Sequence, residues 1–439
     1  MRNRKFSKIM KDIKILLRRI VLVGIQALLI VCAPFLFVVA FAVRVIRKQP
    51  TTFLQRRVVF GGCGLINHAK WSKALKQIGV PSKTMVWGTP GIYSRDLFDY
   101  DLQQKWGIAS YLVAPFVFLK TIAKTDVVVC GFDGFILGTT NLRKIEIHLL
   151  RLSGCKVIVI PYGADAFIYR NIYSNDVKHV LQISYAEASR RQESIEKDVR
   201  RNVRSADFIF MGMMSFDGFG RWDALSPSSL IIDTRKIVPA ASKNSSSKLV
   251  VAHTPNHRGF KGTEFIIAAV ENLQKEGLEI ELLLLEKVPN QRVLEVLSKD
   301  VDVLVEQIIA PGYGLSGVEG FATGCVVISN LSDELIMRPF RRWSFLNECP
   351  AVSATPESIE EVLRNLYDKP ELRKELSTHS RMYAEKYHSH ETFQEFYRAT
   401  DAYLFEQGPE LINFYHPLIG QSMTVKDKLK TPLIDNQIV

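Results

Sequence analysis

Short apolar runs closed by glycine, proline or a polar turn alternate with longer amphipathic stretches, and the whole alternation occurs twice. Val58-Val59-Phe60 enters Gly61-Gly62-Cys63-Gly64 and then a helical pattern to Ile78. Runs at Thr84-Met85-Val86-Trp87, Asp126 to Cys130, Lys156 to Ile160 and Phe208-Ile209-Phe210 follow. Four or five apolar residues without polar interruption fit a strand covered on both faces, which a parallel sheet with helical crossovers provides. Asn244-Ser245-Ser246-Ser247-Lys248 reads as a linker, and the pattern restarts beyond it. Leu249 to His253 is a strand, and Thr263 opens a helix with Ile266, Val270 and Leu273 on one face. Strands at Ile280 to Leu285, Val303-Leu304-Val305 and Cys325 to Ser329 follow, then amphipathic helix from about Pro356 to Leu404. The expected fold is α/β, with two Rossmann-like domains facing across a cleft and an N-terminal membrane helix. The expected divisions are a basic flank and anchor at 1–50, a first domain at 51–240, a second with its closing helices at 241–405, and a tail at 406–439.

The 439 residues are 47% hydrophobic, which suffices for two or three cores and excludes disordered, collagenous and disulfide-scaffold proteins. The net charge of +12 lies entirely in residues 1–57, which hold 13 Lys/Arg and one Asp; the other 382 residues carry 44 basic and 44 acidic side chains. That balance, with no finger or basic helix, excludes nucleic acid as a partner. Within the basic segment, Ile20 to Val43 is uncharged for 24 residues between Arg18-Arg19 and Arg44, Arg47 and Lys48. As a helix it is about 36 Å long, against a hydrocarbon core of about 30 Å. Membrane lipids are the expected partners of residues 1–57. Eight bases precede the run and five follow it, so both flanks read as cytoplasmic. Two arrangements stay open: a kinked spanning helix, and one that breaks near Pro34 and returns, setting both basic flanks on anionic headgroups. The six cysteines show no CxxC pair, which favours a reducing compartment. The sequons at Asn244 and Asn330 read as chance matches.

Two loops carry the chemistry. His253-Thr254-Pro255-Asn256-His257-Arg258-Gly259-Phe260-Lys261-Gly262-Thr263 joins a strand to a helix and sets a guanidinium and an ammonium three residues apart. Arg can hold two phosphate oxygens at once, Lys adds a point charge and helix amides add a positive end, so the loop suits a pyrophosphate. The competing reading is a solvated basic turn, whose cations contribute little packing. The second loop, Pro311-Gly312-Tyr313-Gly314-Leu315-Ser316-Gly317-Val318-Glu319, offers free amides at Gly312 and Gly314 and leads into a helix. Glu319 is an acid among small and apolar residues; a vicinal diol would satisfy it, and so would a structural ion pair.

Together, Leu249 to Asn330 resembles the C-terminal half of GT-B glycosyltransferases of the glycogen/sucrose synthase-like clan (glycosyltransferase family 4-like), with Arg258…Lys261-Gly262 and Gly312-Tyr313-Gly314…Glu319-Gly320-Phe321-Ala322-Thr323-Gly324 carrying the likeness. Leu230 to Pro239 resembles the clan's interdomain crossover and Arg381 to Ser389 its closing helix. The resemblance implies that 241–405 is the donor side and 51–240 the acceptor side, that Arg258 and Lys261 bind the donor diphosphate, and that Glu319 binds the nucleotide ribose. It also implies a retaining, metal-independent hexosyl transfer with no cofactor beyond the nucleotide-sugar co-substrate. Pro311 stands where the clan often has a first glutamate. Pro161-Tyr162-Gly163-Ala164-Asp165 is similar to the clan's Gly-x-Asp turn; Asp165 is the catalytic candidate, with turn capping as its other reading. Gly62 and Gly64 are expected near the acceptor. Gly62-x-Gly64 lacks the third glycine of a dinucleotide site, where Asn67 stands. Asp99-Tyr100-Asp101 and Asp300-Val301-Asp302 read as solvent-facing acids, and His68 and His253 as structural residues.

The expected activity is transfer of a sugar to a lipid-linked or polysaccharide acceptor in cell-envelope polysaccharide synthesis, at the inner (plasma) membrane with the catalytic domains on the cytoplasmic side. The alternatives are a nucleotide-sugar epimerase or hydrolase on the same fold, and a degenerate GT-B scaffold subunit.

Overall fold

The computed structural model describes residues 20–91, 93–94, 96–213, 219–239, 248–425 and 427–438. The basic flank before Ile20, the sequon at Asn244 and the linker up to Ser247 lie outside the described residues.

The chain forms two compact units. One takes residues up to Ser72, Gly79–Val159 and Arg204–Asp207; the other takes Lys73–Ile78, Ile160–Val203 and Phe208–Val439. The segment from Ile160 to Val203, expected in the first domain, therefore goes with the second. The reason is apolar packing: Phe167, Tyr169, Ile172, Val177, Val180 and Leu181 share a core with Phe260 and Ala310.

In the first unit, α1 (Ile20–Val31) and α2 (Ala33–Ile46) meet at a 50° bend. Pro34 sits in the first turn of α2, where its missing amide costs no helical bond. Among the described residues no single helix is long and apolar enough to cross a membrane. The unit continues through β1 (Val58–Gly62), the start of α3 (Ile66–Gln77), whose residues from Lys73 on belong to the second unit, β2 (Ser82–Val86), β3 (Tyr100–Asp101), α4 (Leu102–Trp106), α5 (Ser110–Ile122), β4 (Val127–Cys130), α6 (Arg143–Leu152) and β5 (Lys156–Val159). Its strands are parallel in the order β3-β2-β1-β4-β5. Arg57 clasps the buried Asp126 carboxylate through Nε and a terminal nitrogen, each at 2.8 Å, which ties the start of β1 to that of β4.

In the second unit come α7 (Asn175–Ser184), α8 (Ala186–Arg190), then α9 (Gln192–Ser205), which runs on into the first unit, and the short parallel pair β6 (Phe208–Met211) and β7 (Ala224–Leu225). The main sheet is built from β8 (Leu249–His253), β9 (Ile280–Leu284), β10 (Val303–Pro311), β11 (Val326–Asn330) and β12 (Val352–Ser353), in the order β12-β11-β10-β8-β9, all parallel. Its helices are α10 (Arg258–Lys261), α11 (Thr263–Lys275), α12 (Asn290–Lys299), α13 (Leu315–Ala322), α14 (Glu334–Trp343), α15 (Ile359–Asp368), α16 (Pro370–Tyr387) and α17 (His390–Phe405). Strand alternation feeds two cores. Leu249, Val251, Val303 and Val305 pack with Ile266, Val270 and Leu273 of α11, while Ala252 and Leu304 pack with Val293, Val296 and Leu297 of α12.

The last residues are not a loose tail. Asn436 donates to Cys349 O (2.8 Å) and Ala351 O (3.1 Å), and its carbonyl accepts from Ser353 N (2.7 Å), so the C-terminus covers the edge strand β12. The two Asp-x-Asp pairs also differ in part from expectation. Asp101 is buried and caps α4 through Gln104 N (2.8 Å), Asp99 accepts from Thr84 N (2.8 Å), and buried Asp302 accepts from Val250 N (2.9 Å). Asp99 and Asp300 are exposed, as expected, whereas Asp101 and Asp302 are buried. Asp99, Asp101 and Asp302 spend their carboxylates on backbone amides next to strands.

Candidate functional site

The strand order of the second unit reverses between β8 and β10. In open parallel sheets, ligands bind at such a switch point, outside the carboxyl ends of the strands. The loops leaving β8 and β10 are the two that the sequence singles out.

The β8 loop winds into the short helix α10, and Gly262 adopts left-handed geometry before α11 begins. Arg258 and Lys261 thus stand one turn apart. Lys261 turns inward. Its Nζ contacts Glu306 Oε1 at 2.5 Å and Ser316 Oγ at 3.0 Å, and Ser316 Oγ donates to the same carboxylate oxygen at 2.7 Å. The Lys261 side chain is 8% exposed and that of Glu306 0%. Arg258 is 40% exposed and donates from Nε to Glu264 (2.8 Å) and from a terminal nitrogen to Glu286 (2.9 Å). The Glu264 carboxyl is held below its ordinary range by its hydrogen bond with Arg258. The competing reading of a solvated basic turn does not hold: each cation already has carboxylate partners, and Lys261 is part of the interior.

Glu306 was not expected. It interrupts the apolar run of β10 at a point where the register against β11 shifts, between Val305 and Gln307 and again before Pro311. Gln307 staples the irregular segment by donating to the carbonyls of Ala310 (3.1 Å), Pro311 (3.3 Å) and Gly312 (2.9 Å). Among the described residues Glu306 Oε2 is buried without a hydrogen-bond partner. A lone acid inside an apolar strand is the signal that could have marked it.

The β10 loop places the glycines for different reasons. Gly312 has φ +84°, a conformation that disfavours other residues, and its carbonyl takes Ser329 Oγ at 2.6 Å. Gly314 precedes the first turn of α13, and a side chain there would approach Glu306 Oε1 to 3.4 Å. Glu319 is buried one turn beyond Ser316 on α13 and accepts from Asn290 Nδ2 at 2.8 Å. Its carboxylate has a neutral amide partner, and Asn290 opens the helix after β9. Loops following three adjacent strands thus converge around Lys261, Ser316 and Glu319.

His253 at the end of β8 is wholly internal. Nδ1 lies 2.7 Å from Val305 O and Nε2 2.9 Å from Thr263 Oγ1. A carbonyl only accepts, so Nδ1 carries the proton and Nε2 accepts from the threonine hydroxyl. Burial lowers its pKa to about 4, so it stays neutral. His68, in the first unit, is likewise lowered to about 4 by burial.

Asp165 is buried, and its Oδ1 accepts from Tyr162 N (2.9 Å) and Gly163 N (3.1 Å). That is the turn-capping geometry, and these bonds lend nothing to a catalytic role. Gly62 and Gly64 belong to the switch point of the first sheet, between β1 and β4. Gly62 has φ +94°, and a Cβ there would fall 2.2 Å from Gly134 O; at Gly64 it would fall 2.4 Å from Gly88 O. Both glycines permit close backbone approach.

No protein-family model and no curated protein matches the sequence. Among solved structures the chain is similar to sucrose-phosphate synthase from Thermosynechococcus elongatus, at 11% identity over 80% of this chain and 99% of that one, with a TM-score of 0.51. It is also similar to S. aureus MnaA solved with UDP (13% identity, 81% and 100% coverage, TM-score 0.47). A third is the catalytic domain of starch synthase IV from Arabidopsis thaliana bound to ADP and acarbose (11%, 77% and 99%, TM-score 0.38). The first likeness is one of fold: the chain has the α/β architecture of GT-B proteins, with parallel sheets.

Proposed function

We propose that this chain is a glycosyltransferase that moves a sugar from a nucleotide-sugar donor to a lipid-linked or polysaccharide acceptor in cell-envelope synthesis, at the cytoplasmic face of the plasma membrane. The observation that carries the reading is the convergence, at the switch point of the second sheet, of Lys261, Ser316 and the amide end of α13, with Arg258 in the same loop and Glu319 one turn along. A donor diphosphate meets the Arg258 guanidinium after it leaves Glu264 and Glu286, both of them surface pairings that are weak in water. Lys261 and the helix amides then face the charge that develops on the departing diphosphate, which is where electrostatic stabilisation lowers a transfer barrier. Glu319, whose carboxylate accepts from the Asn290 amide, is the acid placed to meet the hydroxyls of a ribose.

Two observations favour a second reading, a GT-B subunit that scaffolds an assembly complex without catalysing. Both cations are countered by carboxylates, and Pro311 occupies the place of an acid. Calorimetry with a panel of nucleoside diphosphates, followed by donor hydrolysis assays with the matching nucleotide sugars, separates the readings. Binding with hydrolysis supports the transferase, and absence of both supports the scaffold.

A further inference from the structure

The first unit carries an apolar surface that donor chemistry does not use. α2 turns Leu36, Ala40 and Val43 inward onto α5 and α6 and leaves Phe35, Val38, Phe41 and Val45 exposed. α5 buries Ala114, Phe118 and Ile122 and exposes Leu112 and Phe116, the latter 71%; Trp106 and Ile108 just before it are exposed too. An apolar face this extensive on a soluble protein marks an interaction site.

The two helices point the same way, because Arg47, at the exit of α2, donates to the carbonyls of Ile122 and Thr125 at the exit of α5. Its side chain is 2% exposed and lies 3.5 Å from Asp126. Arg47 therefore pins the helix to the sheet, and the headgroup role expected of it is corrected. The bases that do reach solvent, Arg44, Lys48, Lys120 and Lys124, gather at this shared end, next to the apolar stripe. α1 rests on the same unit, since Gln26 accepts from Asn141 N at 2.7 Å. Alongside α2, helix α6 exposes Lys144, His148 and Arg151. Each Lys or Arg at mid-bilayer depth costs roughly 2.5–3.5 kcal/mol, so α2 packed against this helix cannot occupy the centre of a bilayer.

We propose that residues 20–46 together with α5 form a monotopic face that sinks into the headgroup–acyl boundary of one leaflet rich in anionic phospholipid, without crossing it. The apolar stripe enters the acyl boundary and the clustered bases meet the phosphates. The inference rests on the membrane setting proposed above but not on the donor chemistry, which is measured separately in detergent.

The test uses the full chain and vesicles of phosphatidylglycerol mixed with phosphatidylcholine, against vesicles of phosphatidylcholine alone. Binding is expected to be stronger to the anionic vesicles and to weaken with salt. The double substitution Leu112→Glu/Phe116→Glu touches only exposed positions and should weaken vesicle binding at least about tenfold, since two apolar side chains leave the lipid. Near-ultraviolet circular dichroism checks that the variant is folded. In intact cells, thiol labelling of Arg2→Cys and Gln49→Cys should report the same side. Unchanged binding by the double variant, or opposite sidedness of the two labels, overturns the proposal. Loss of donor binding with lipid binding intact would instead count against the transferase reading alone.

Discussion

Replacing Lys261 tests the interior of the donor loop. Its ammonium and the Glu306 carboxylate are 2.5 Å apart with side-chain exposures of 8% and 0%. At an effective dielectric of about 20 their attraction is roughly 7 kcal/mol, most of it offset by the cost of desolvating both ions. Lys261→Met removes the attraction and leaves the desolvation cost of Glu306 uncompensated. Glu306 then keeps only the Ser316 hydroxyl at 2.7 Å, beside an Oε2 that already lacks a partner among the described residues. Breaking a buried pair in this way costs about 3–5 kcal/mol. Lys261→Met/Glu306→Leu, which removes both charges, should return to within about 1.5 kcal/mol of the parent. The assay is urea unfolding of the full chain in detergent, followed by tryptophan fluorescence, with Trp222 and Trp343 reporting on the second unit. The cycle should give a coupling of at least about 2 kcal/mol. A cost below about 1 kcal/mol for Lys261→Met, or additive effects in the double variant, would refute a buried pair. The double variant also separates roles: it should be stable yet fail in donor turnover.

Arg258→Ala, at an exposed position, should leave stability nearly unchanged while lowering donor turnover severely; kinetics and unfolding on the same preparation check both. Glu264→Gln/Glu286→Gln should tighten nucleoside diphosphate binding, because the guanidinium no longer has carboxylates to leave. Stability should fall on acidification, as unfolding curves between pH 4 and 8 will show. Burial lowers His68, His253 and His388 to about 4, so from pH 6.5 down to 4 the unfolded chain binds the extra protons and stability is lost. Glu146, raised to about 7 by burial, acts in the opposite sense, losing stability as pH rises from about 4.5 to 7. Three groups outweigh one, and Glu146→Gln should steepen the acid loss. Asn436→Ala should cost about 1–3 kcal/mol by leaving the Cys349 and Ala351 carbonyls unpaired.

Strands such as β1, β4 and β6 were legible because burial along their whole length leaves no polar residue to confuse the period. Leu249–His253 appears as read, and the helix from Thr263 buries Ile266, Val270 and Leu273. The break before Pro34 was legible from the imino acid alone. What escaped depends on partners distant in sequence. Val303-Leu304-Val305 looked like a whole strand, yet β10 runs on to Pro311, because Gln307 satisfies the carbonyls of an irregular segment. Lys261 looked like a loop cation because Glu306 is 45 residues away. Asp101 and Asp302 looked exposed because polarity in a sequence does not say whether a backbone amide waits beside it. The allegiance of Ile160–Val203 to the second unit arises from aromatic and aliphatic packing onto Phe260 and Ala310, which no local pattern reveals.

Isothermal titration of the full-length protein in detergent with uridine, adenosine, guanosine and cytidine diphosphates bears most directly on the strand-end site. One of them should bind at a single site per chain, and Arg258→Ala and Glu319→Gln should each abolish or strongly weaken that heat. A folded protein that gives no heat with any of the four would contradict a donor site at the switch point of the second sheet.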